Sequence, residues 1–269
     1  MIDHDPIQDL WQRRELGVGE TLQYDIGPLR MWVRFAEHDW YIADQFRNDG
    51  RTIYAFERLT SEQNRMPEVE WRRWTSSRAS LHVRLSPLLP DRPLVVKPEA
   101  EIRIPAGNRA LFFVSIPIWV RVSVGYPEEI ALAEIPTSIL SNSWFGTVTQ
   151  GELCYSLRTR ATREIDMSET MLHRVTCPVH IYNNSATELD FIRLAVHGEF
   201  LRLYEGTNRL YTNHVKVTFR GEEHLSQIEL SKAAPDIEPG CRLIQHSRVP
   251  ADQSFMQRTF QVLRSLTGV

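Results

Sequence analysis

Short segments in which apolar and polar residues alternate recur along most of the sequence. From Leu29 to Phe35 every second residue is apolar, and two kinds of larger residue, arginine and tryptophan, stand between them. Successive side chains of a β-strand point to opposite faces, so this alternation predicts half-buried strands. Turn-forming groups separate the segments, among them Gly27-Pro28, Asn48-Asp49-Gly50 and Asn183-Asn184-Ser185. In the C-terminal half these groups recur at about the 8 to 12 residue spacing of a β-sandwich.

The strand pattern weakens between Pro136 and Gly151, which indicates a crossover between two halves. A chain of 269 residues is long enough for one large or two ordinary domains. The strand, Pro/Gly turn and long strand between residues 94 and 124 are similar to those of immunoglobulin-like sandwiches. We therefore predict a mostly β protein with two antiparallel immunoglobulin-like β-sandwich domains, residues 1–140 and 141–248. Residues 249–269 are predicted to form a linker and a short C-terminal helix.

The predicted C-terminal helix is amphipathic. At ~100° per residue its apolar side chains share one arc. That arc consists of Phe255, Met256, Phe260, Val262, Leu263 and Leu266. A helix of about fifteen residues is marginal alone, so the arc needs a surface: its own sandwich, a partner protein or second copy, or a membrane interface. The polar face carries only two arginines, Arg258 and Arg264, which disfavours direct membrane binding.

Charge, cysteine content and hydropathy disfavour several classes of protein. The formal net charge of −3 gives no global field for nucleic acid, so no nucleic-acid partner is predicted. No apolar run reaches the ~18 residues of a membrane-spanning helix, so any membrane contact is expected to be indirect. Cys154, Cys177 and Cys241 form no CxxC pair and no even set, which suits a reducing compartment. Because the acidic N-terminus also lacks the features of a secretion signal, we expect a cytoplasmic protein.

Arginine dominates the basic residues. Lys97, Lys216 and Lys232 are the only lysines among 31 basic residues, which leaves 31 − 3 = 28 arginines. Arginine pairs with carboxylates through two hydrogen bonds, so the bias is consistent with an ion-paired surface. A GC-rich genome explains the same bias as easily, and the sequence favours that explanation.

Several stretches of the sequence resemble the DUF432 family. They are Gly151-Glu152-Leu153-Cys154-Tyr155, Cys177-Pro178-Val179-His180-Ile181-Tyr182-Asn183-Asn184, Arg209-Leu210-Tyr211-Thr212-Asn213-His214-Val215-Lys216-Val217 and Phe219-Arg220-Gly221-Glu222. The similarity extends across the chain, including residues 112–117 and the tail. The family consists of uncharacterised archaeal and bacterial proteins, so the resemblance implies no catalytic residues. It does imply a membrane-protein partner, such as a small-conductance mechanosensitive channel.

Local signatures of catalysis and of metal or cofactor binding are absent from the sequence. The nine histidines form no HExxH or HxH motif, and His173 with His180, or His214 with His224, can meet only through the tertiary fold. There is no G-x-S-x-G motif, and Gly17-Val18-Gly19 lacks the lysine of a phosphate-binding loop. We therefore predict no catalytic, cofactor or metal residues, although a Ser-His-Asp triad can assemble from distant segments.

A tryptophan–arginine segment offers one ligand-stacking candidate. In a strand, Trp71 and Trp74 lie on opposite faces, each beside an arginine. A solvent-facing tryptophan next to arginine can stack on a sugar or base, whereas an inward one fills the core under arginine stems. The sequence favours the core interpretation.

Two functional hypotheses follow from these observations. The first is a non-catalytic interaction or scaffold protein, homo-oligomeric or bound to a membrane protein, with partner contacts through Phe255, Met256, Phe260, Leu263 and Leu266. The alternative is an enzyme or a small-ligand or metal-binding protein whose site forms between the two domains, where pockets prefer to form.

Overall fold

The fold is mostly β, with several antiparallel sheets, as the alternation predicts. The computed structural model describes residues 10–59, 68–75, 81–98, 100–146, 149, 151–221, 224–250, 254–257 and 260–261. At 157–160, 191, 254–257 and 260–261 it describes the backbone alone.

Strands follow one another along the chain with short connections. In order they are β1 (Arg13–Glu15), β2 (Thr21–Gly27), β3 (Leu29–Ala36), β4 (Asp39–Phe46), β5 (Ile53–Leu59), β6 (Arg72–Thr75), β7 (His82–Leu88), β8 (Leu94–Pro98), β9 (Ile102–Ile104), β10 (Arg109–Pro117), β11 (Trp119–Val124), β12 (Ile130–Pro136), β13 (Ser141–Gly146), β14 (Gly151–Thr162), β15 (Met171–Asn183), β16 (Leu189–Phe191), β17 (Arg193–Val196), β18 (Leu203–Glu205), β19 (Arg209–Thr212), β20 (Val215–Phe219), β21 (Ser226–Leu230), β22 (Arg242–Gln245), β23 (Ser254–Gln257) and β24 (Phe260–Gln261). A single 3₁₀ turn, Gly198–Phe200, stands between β17 and β18 in this part of the chain.

The described residues divide into two compact units that alternate along the chain. The first unit takes those within Met1–Leu88, Pro117–Ile139 and Met171–His173. The second takes those within Leu89–Ile116, Leu140–Thr170 and Arg174–Val269. The domains predicted from the sequence, 1–140, 141–248 and 249–269, are consecutive segments. Each compact unit of the structure is assembled from three separate segments, and the segments of the two units alternate between β7 and β15.

The first unit contains a five-stranded sheet and a four-stranded sheet around one core. The five strands are ordered β5-β2-β3-β4-β6 and the four β1-β7-β11-β12, all antiparallel. Both sheets contribute to a single buried cluster, for example Met31 and Ile42 from one and Val83 and Val120 from the other. The predicted inward face of β3 is confirmed, because Leu29 to Phe35 bury every second, apolar residue in this cluster.

The second unit is built on one large sheet that also contains parallel pairs. Its main path runs β22-β18-β19-β15-β10-β14-β8-β17-β24, and β13, β20, β21 and β23 branch from it. Most neighbours are antiparallel, but β8 pairs parallel with β14, and β15 pairs parallel with β20. The second parallel pair positions the site described below.

The prediction of a C-terminal helix is wrong for the described part of the tail. Residues 254–257 form β23, which pairs antiparallel with β21, and residues 260–261 form β24, which pairs with β17. Phe255, Met256 and Phe260 therefore lie in strands; Leu263 and Leu266 lie outside the described residues. The physical reason is that β21 and β17 offer free backbone donors and acceptors, whereas a short isolated helix is only marginally stable.

No helix in the described residues has the length and apolar character needed to cross a membrane.

Candidate functional site

Two parallel strands of the second unit bring polar side chains to one face. In β15, His180 and Tyr182 alternate with the buried Val179 and Ile181. In β20, Lys216 stands between two buried valines and pairs in register with His180. Because residues opposite each other on neighbouring strands point the same way, these side chains share one half-exposed surface.

Two histidine rings on this surface point a ring nitrogen at each other. Nε2 of His180 lies 3.0 Å from Nδ1 of His214, which directly precedes β20. The ring centroids are 5.2 Å apart and the rings are inclined by 28°. The difference between the two distances, 5.2 − 3.0 = 2.2 Å, is about two ring radii, so the nitrogens point at each other rather than the faces stacking. A shared proton joins the two rings.

A carboxylate fixes where the protons lie. Oδ1 of Asp236 is 2.8 Å from Nε2 of His214. A carboxylate only accepts hydrogen bonds, so this nitrogen donates, and Nδ1 of a neutral His214 then accepts from Nε2–H of His180. That arrangement leaves Nδ1 of His180 without a proton. The three side chains form a linear relay from carboxylate to imidazole to imidazole.

The backbone around His214 is held by its neighbours. The buried Asn213 accepts a hydrogen bond from the backbone N–H of Arg202 at 2.9 Å and donates from its amide to the carbonyl of Ser231 at 2.9 Å. The N–H of Ser231 donates to the carbonyl of His214 at 2.9 Å. These bonds tie the residues after β21, which include Asp236, to the start of β20.

Charged side chains surround the relay. Lys216 donates to Glu229 of β21 at 3.0 Å, and its Nζ also lies 5.4 Å from the centre of the Tyr182 ring. The guanidinium of Arg109, at the start of β10, lies 5.9 Å from the same ring centre. Both cations thus lie within cation–π distance of the Tyr182 ring, whose electron-rich face stabilises positive charge.

These residues enclose an open cleft of about 370 Å³. Its lining consists of His180, Tyr182, His214, Lys216, Ser231, Ala233, Ala234 and Asp236. The volume lies within the range of small-molecule sites, and the lining mixes an aromatic ring with a few converging polar groups, as such sites do.

Burial and the neighbouring charges lower the pKa of His180 below its ordinary value of 6.5. Loss of solvent around the ring is the main cause, and the second histidine and Arg109 act in the same direction, whereas Asp236 opposes them. His180 is therefore neutral at pH 7 and can accept a proton or a hydrogen bond at Nδ1.

The relay favours hydrogen-bonding chemistry over metal coordination. Both nitrogens of His214 are occupied by the relay itself, and no group of three metal-ligating side chains occurs in the residues that the structure describes. The hydroxyl of Ser231, which also lines the cleft, accepts from the N–H of Ala233 at 3.1 Å. The site can bind a polar ligand and exchange a proton with it.

A second histidine cluster opens onto no comparable space. His197 is buried between Glu199 and Glu152, with nitrogen–oxygen distances of 3.4 and 3.6 Å. The cavity beside it has a volume of about 10 Å³, enough for roughly one water molecule, and its other lining residues are apolar. This cluster is part of the core.

The cysteines are inert thiols. Cys154 and Cys177 are buried, and burial raises the pKa of each thiol to about 12. Cys241 is half-buried, and its pKa is also raised by loss of solvent. Thiolates, which react with electrophiles and metals, are therefore scarce at neutral pH.

The candidates singled out from the sequence fall in different places. His180 meets His214, whereas His173 hydrogen-bonds Tyr54 in the first unit and His224 is exposed. Trp74 packs half-buried against the core of the first unit, with Arg72 beside its ring, and Trp71 is half-buried just before β6. A ligand-stacking role for Trp71 and Trp74 stays a prediction.

A family model described as "Protein of unknown function (DUF432)" matches residues 10–264. No curated protein and no solved structure matches the chain.

Proposed function

The chain belongs to the DUF432 family of proteins of unknown function, and on this premise we propose that it is a small-ligand-binding protein whose ligand occupies the cleft of the second unit. The observation that carries the proposal is the relay of His180, His214 and Asp236 in an open cleft of about 370 Å³. Polar side chains converge there, and a neutral imidazole has an unused acceptor.

The relay supports binding rather than catalysis. Nδ1 of a neutral His180 can accept a hydrogen bond from a ligand, whereas the Ser231 hydroxyl is hydrogen-bonded to the backbone N–H of Ala233 and to neither histidine of the relay. The proposed ligand is polar, because Lys216, Tyr182 and His180 offer donors and an acceptor within one cleft.

A ligand screen tests this proposal. Polar small molecules would be screened by thermal shift and by imidazole nitrogen–proton NMR spectra of the full chain, comparing wild type with His180→Leu and the control His224→Leu. A true ligand stabilises wild type and the control, perturbs the His180 and His214 resonances, and has no effect on His180→Leu. If every stabilising compound acts equally on all three proteins, the cleft is not the binding site.

We also propose an interaction role, because an apolar pair is exposed on neighbouring strands of the second unit. Trp144 of β13 and Leu153 of β14 lie directly opposite each other, with exposed fractions of 53% and 44%. A Cβ on Gly151 would come within 2.5 Å of Nε1 of Trp144, so glycine there lets the indole lie across the strand. Large exposed apolar pairs of this kind favour partner contacts.

The partner proposed for this surface is a membrane protein such as a mechanosensitive channel, or a second copy of the chain. Phe255, Met256, Phe260, Leu263 and Leu266 are retained as further proposed contacts. The double variant Trp144→Ser with Leu153→Ser should lose capture of the channel while keeping wild-type stability, whereas Val18→Ser, at another exposed apolar residue, should keep capture. Unchanged capture by the double variant would remove this surface as the contact.

The fold type of each unit and the cellular location of the protein are also proposals. Each unit is taken as an immunoglobulin-like sandwich, and the protein as cytoplasmic. The free thiols of Cys154, Cys177 and Cys241 are consistent with a reducing compartment.

A further inference from the structure

We propose that the cleft binds an oxyanion, a carboxylate, sulfate or phosphate group, and that binding is coupled to uptake of one proton by the pair of His180 and His214. This inference rests on the proposed ligand-binding function and names the chemistry of the ligand. It follows from the protons available in the relay and from the charges around it.

The relay has room for one more proton. In the neutral relay, the proton on Nε2 of His214 is hydrogen-bonded to Asp236, and the proton on Nε2 of His180 lies between the two rings. Nδ1 of His180 then carries no proton. A proton added at Nδ1 converts His180 from an acceptor into a cation that donates. The carboxylate at the far end of the relay stabilises the resulting charge.

The charges around the cleft balance before that proton is added. Lys216 and Arg109 contribute two positive charges, and Glu229 and Asp236 contribute two negative ones. The added proton therefore gives the cleft a net charge of +1. Among the residues described, the titratable side chains of the lining are His180, His214, Lys216, Asp236 and Tyr182. Arg109 and Glu229 lie beside the lining, next to Tyr182 and Lys216.

The donors are placed for an oxyanion. Lys216 keeps 43% of its side chain exposed while it pairs with Glu229, so ammonium protons remain accessible. Arg109 is exposed beside Tyr182 and has no carboxylate partner within the described part of the chain. Within the cleft, Lys216 of β20 and a protonated His180 of β15 supply charge-assisted hydrogen bonds, which are about twice as strong as neutral ones, and Arg109 adds positive charge beside Tyr182.

Anion binding and proton uptake are thermodynamically linked. If an anion binds the protonated pair more tightly, it raises the proton affinity of that pair by the same factor. Between the pKa values of the free and bound pair, the dissociation constant should fall by about tenfold for each unit by which the pH falls.

Sulfate is the probe, because its own charge is constant over this range. Its dissociation constant would be measured by calorimetry with the full chain at about pH 5.5 and about pH 8, on either side of the ordinary histidine pKa, at constant ionic strength in chloride. We expect binding at least about tenfold tighter at the lower pH. Proton uptake, read from the dependence of the heat on the buffer, should approach one per sulfate.

Variants assign the effect to the cleft. His180→Gln should abolish both the pH dependence and the proton uptake, Lys216→Met should weaken binding at both pH values, and the exposed His224→Gln should behave as wild type. Lys216→Met, at a half-exposed side chain, keeps the test valid if His180→Gln does not fold.

Two results would overturn the inference. Sulfate binding that is equally strong at both pH values, or unchanged in His180→Gln, contradicts proton-coupled anion binding. The absence of sulfate binding at either pH also contradicts proton-coupled anion binding. If a neutral compound still perturbs His180 in the ligand screen, the proposed ligand-binding function survives. If no ligand of the cleft is found, both the inference and the proposed function are wrong.

Discussion

His180 shows how burial couples a single residue to pH. Its ring lies half-buried, and its direct neighbour in the relay is another imidazole, so a positive charge there is poorly solvated. The folded state therefore holds a proton at this position less readily than the unfolded chain does, because the pKa of His180 is lowered on folding.

The sign of the pH dependence follows from this difference. Above the ordinary histidine pKa of about 6.5 both states are neutral, and as the pH falls through that value the unfolded state binds the proton first and stability is lost. We expect His180→Gln to flatten the fall in unfolding free energy between about pH 7 and pH 5. Urea denaturation across that range measures it, with His224→Gln keeping the wild-type slope. A wild-type slope in His180→Gln would assign the acid sensitivity to other groups.

Asp25 in the first unit shows the opposite case, a buried charge with two partners. It accepts from Arg30 at 2.7 Å and lies 3.4 Å from Arg47, and only 7% of its side chain is exposed. We expect Asp25→Asn to lower the unfolding free energy by about 1 to 3 kcal/mol, because it removes charged hydrogen bonds at a buried site. The matched control is Glu134→Gln, whose more exposed pair with Arg121 should cost under about 1 kcal/mol. Equal losses in urea denaturation would contradict this ranking.

At the scale of elements, alternation of apolar and polar residues predicted most strands but not their partners. The long run from Arg109 to Val124 divides at Pro117 into β10 and β11, which join different sheets, because proline has no N–H to donate. The parallel pairing of β15 with β20 is a contact between distant segments, which local periodicity does not encode.

The same limit applies to the candidate site. A signal was present in the sequence, since His180 with Tyr182, and His214 with Lys216, each place two polar side chains on one face of an apolar strand. The pairing of His180 with His214 depends on strand register, and Asp236 reaches them from a connection with no regular pattern. Sequence could nominate these residues one by one but could not bring them together.

The helix prediction for the tail is wrong because it rests only on apolar residues that fit a helical arc. The described residues of the tail instead pair with the edges of β21 and β17. β23 covers the edge of β21, with Ile228 opposite Phe255. We expect a chain ending at Pro250 to exchange the backbone amides of Ser226–Leu230 faster than the full chain does, because one neighbour of β21 is lost. Hydrogen exchange with mass spectrometry measures this, and β3, inside a five-stranded sheet of the first unit, is the internal control. A loss of helical circular dichroism without faster exchange would instead support a helix.

At the scale of the whole molecule, arginine acts as a pairing residue. Described arginines in both units contact carboxylates, which is consistent with an ion-paired surface. These pairs include Arg58–Glu20, Arg72–Asp44, Arg73–Asp39, Arg121–Glu134 and Arg242–Glu205. Most are half-exposed and so contribute little stability each, but they cancel positive charge locally.

Local cancellation predicts weak binding to polyanions. On the sheet β1-β7-β11-β12, Glu129 neutralises Arg13 and Arg84, and Glu134 neutralises Arg121. Wild type should leave a heparin column below physiological salt, because retention needs a contiguous unpaired basic surface. The double variant Glu129→Gln with Glu134→Gln changes the net charge only from −3 to −3 + 2 = −1, yet it frees three arginines on one sheet. It should therefore elute at clearly higher salt.

A second double variant separates local pairing from net charge. Glu188→Gln with Asp190→Asn also gives a net charge of −1, but both carboxylates contact one arginine, Arg103, so it frees a single exposed cation in the second unit. Its elution should stay close to that of wild type. If the elution salt of the two double variants shifts equally, net charge governs retention and local ion pairing does not. If wild type is itself retained above physiological salt, an unpaired basic surface is already present.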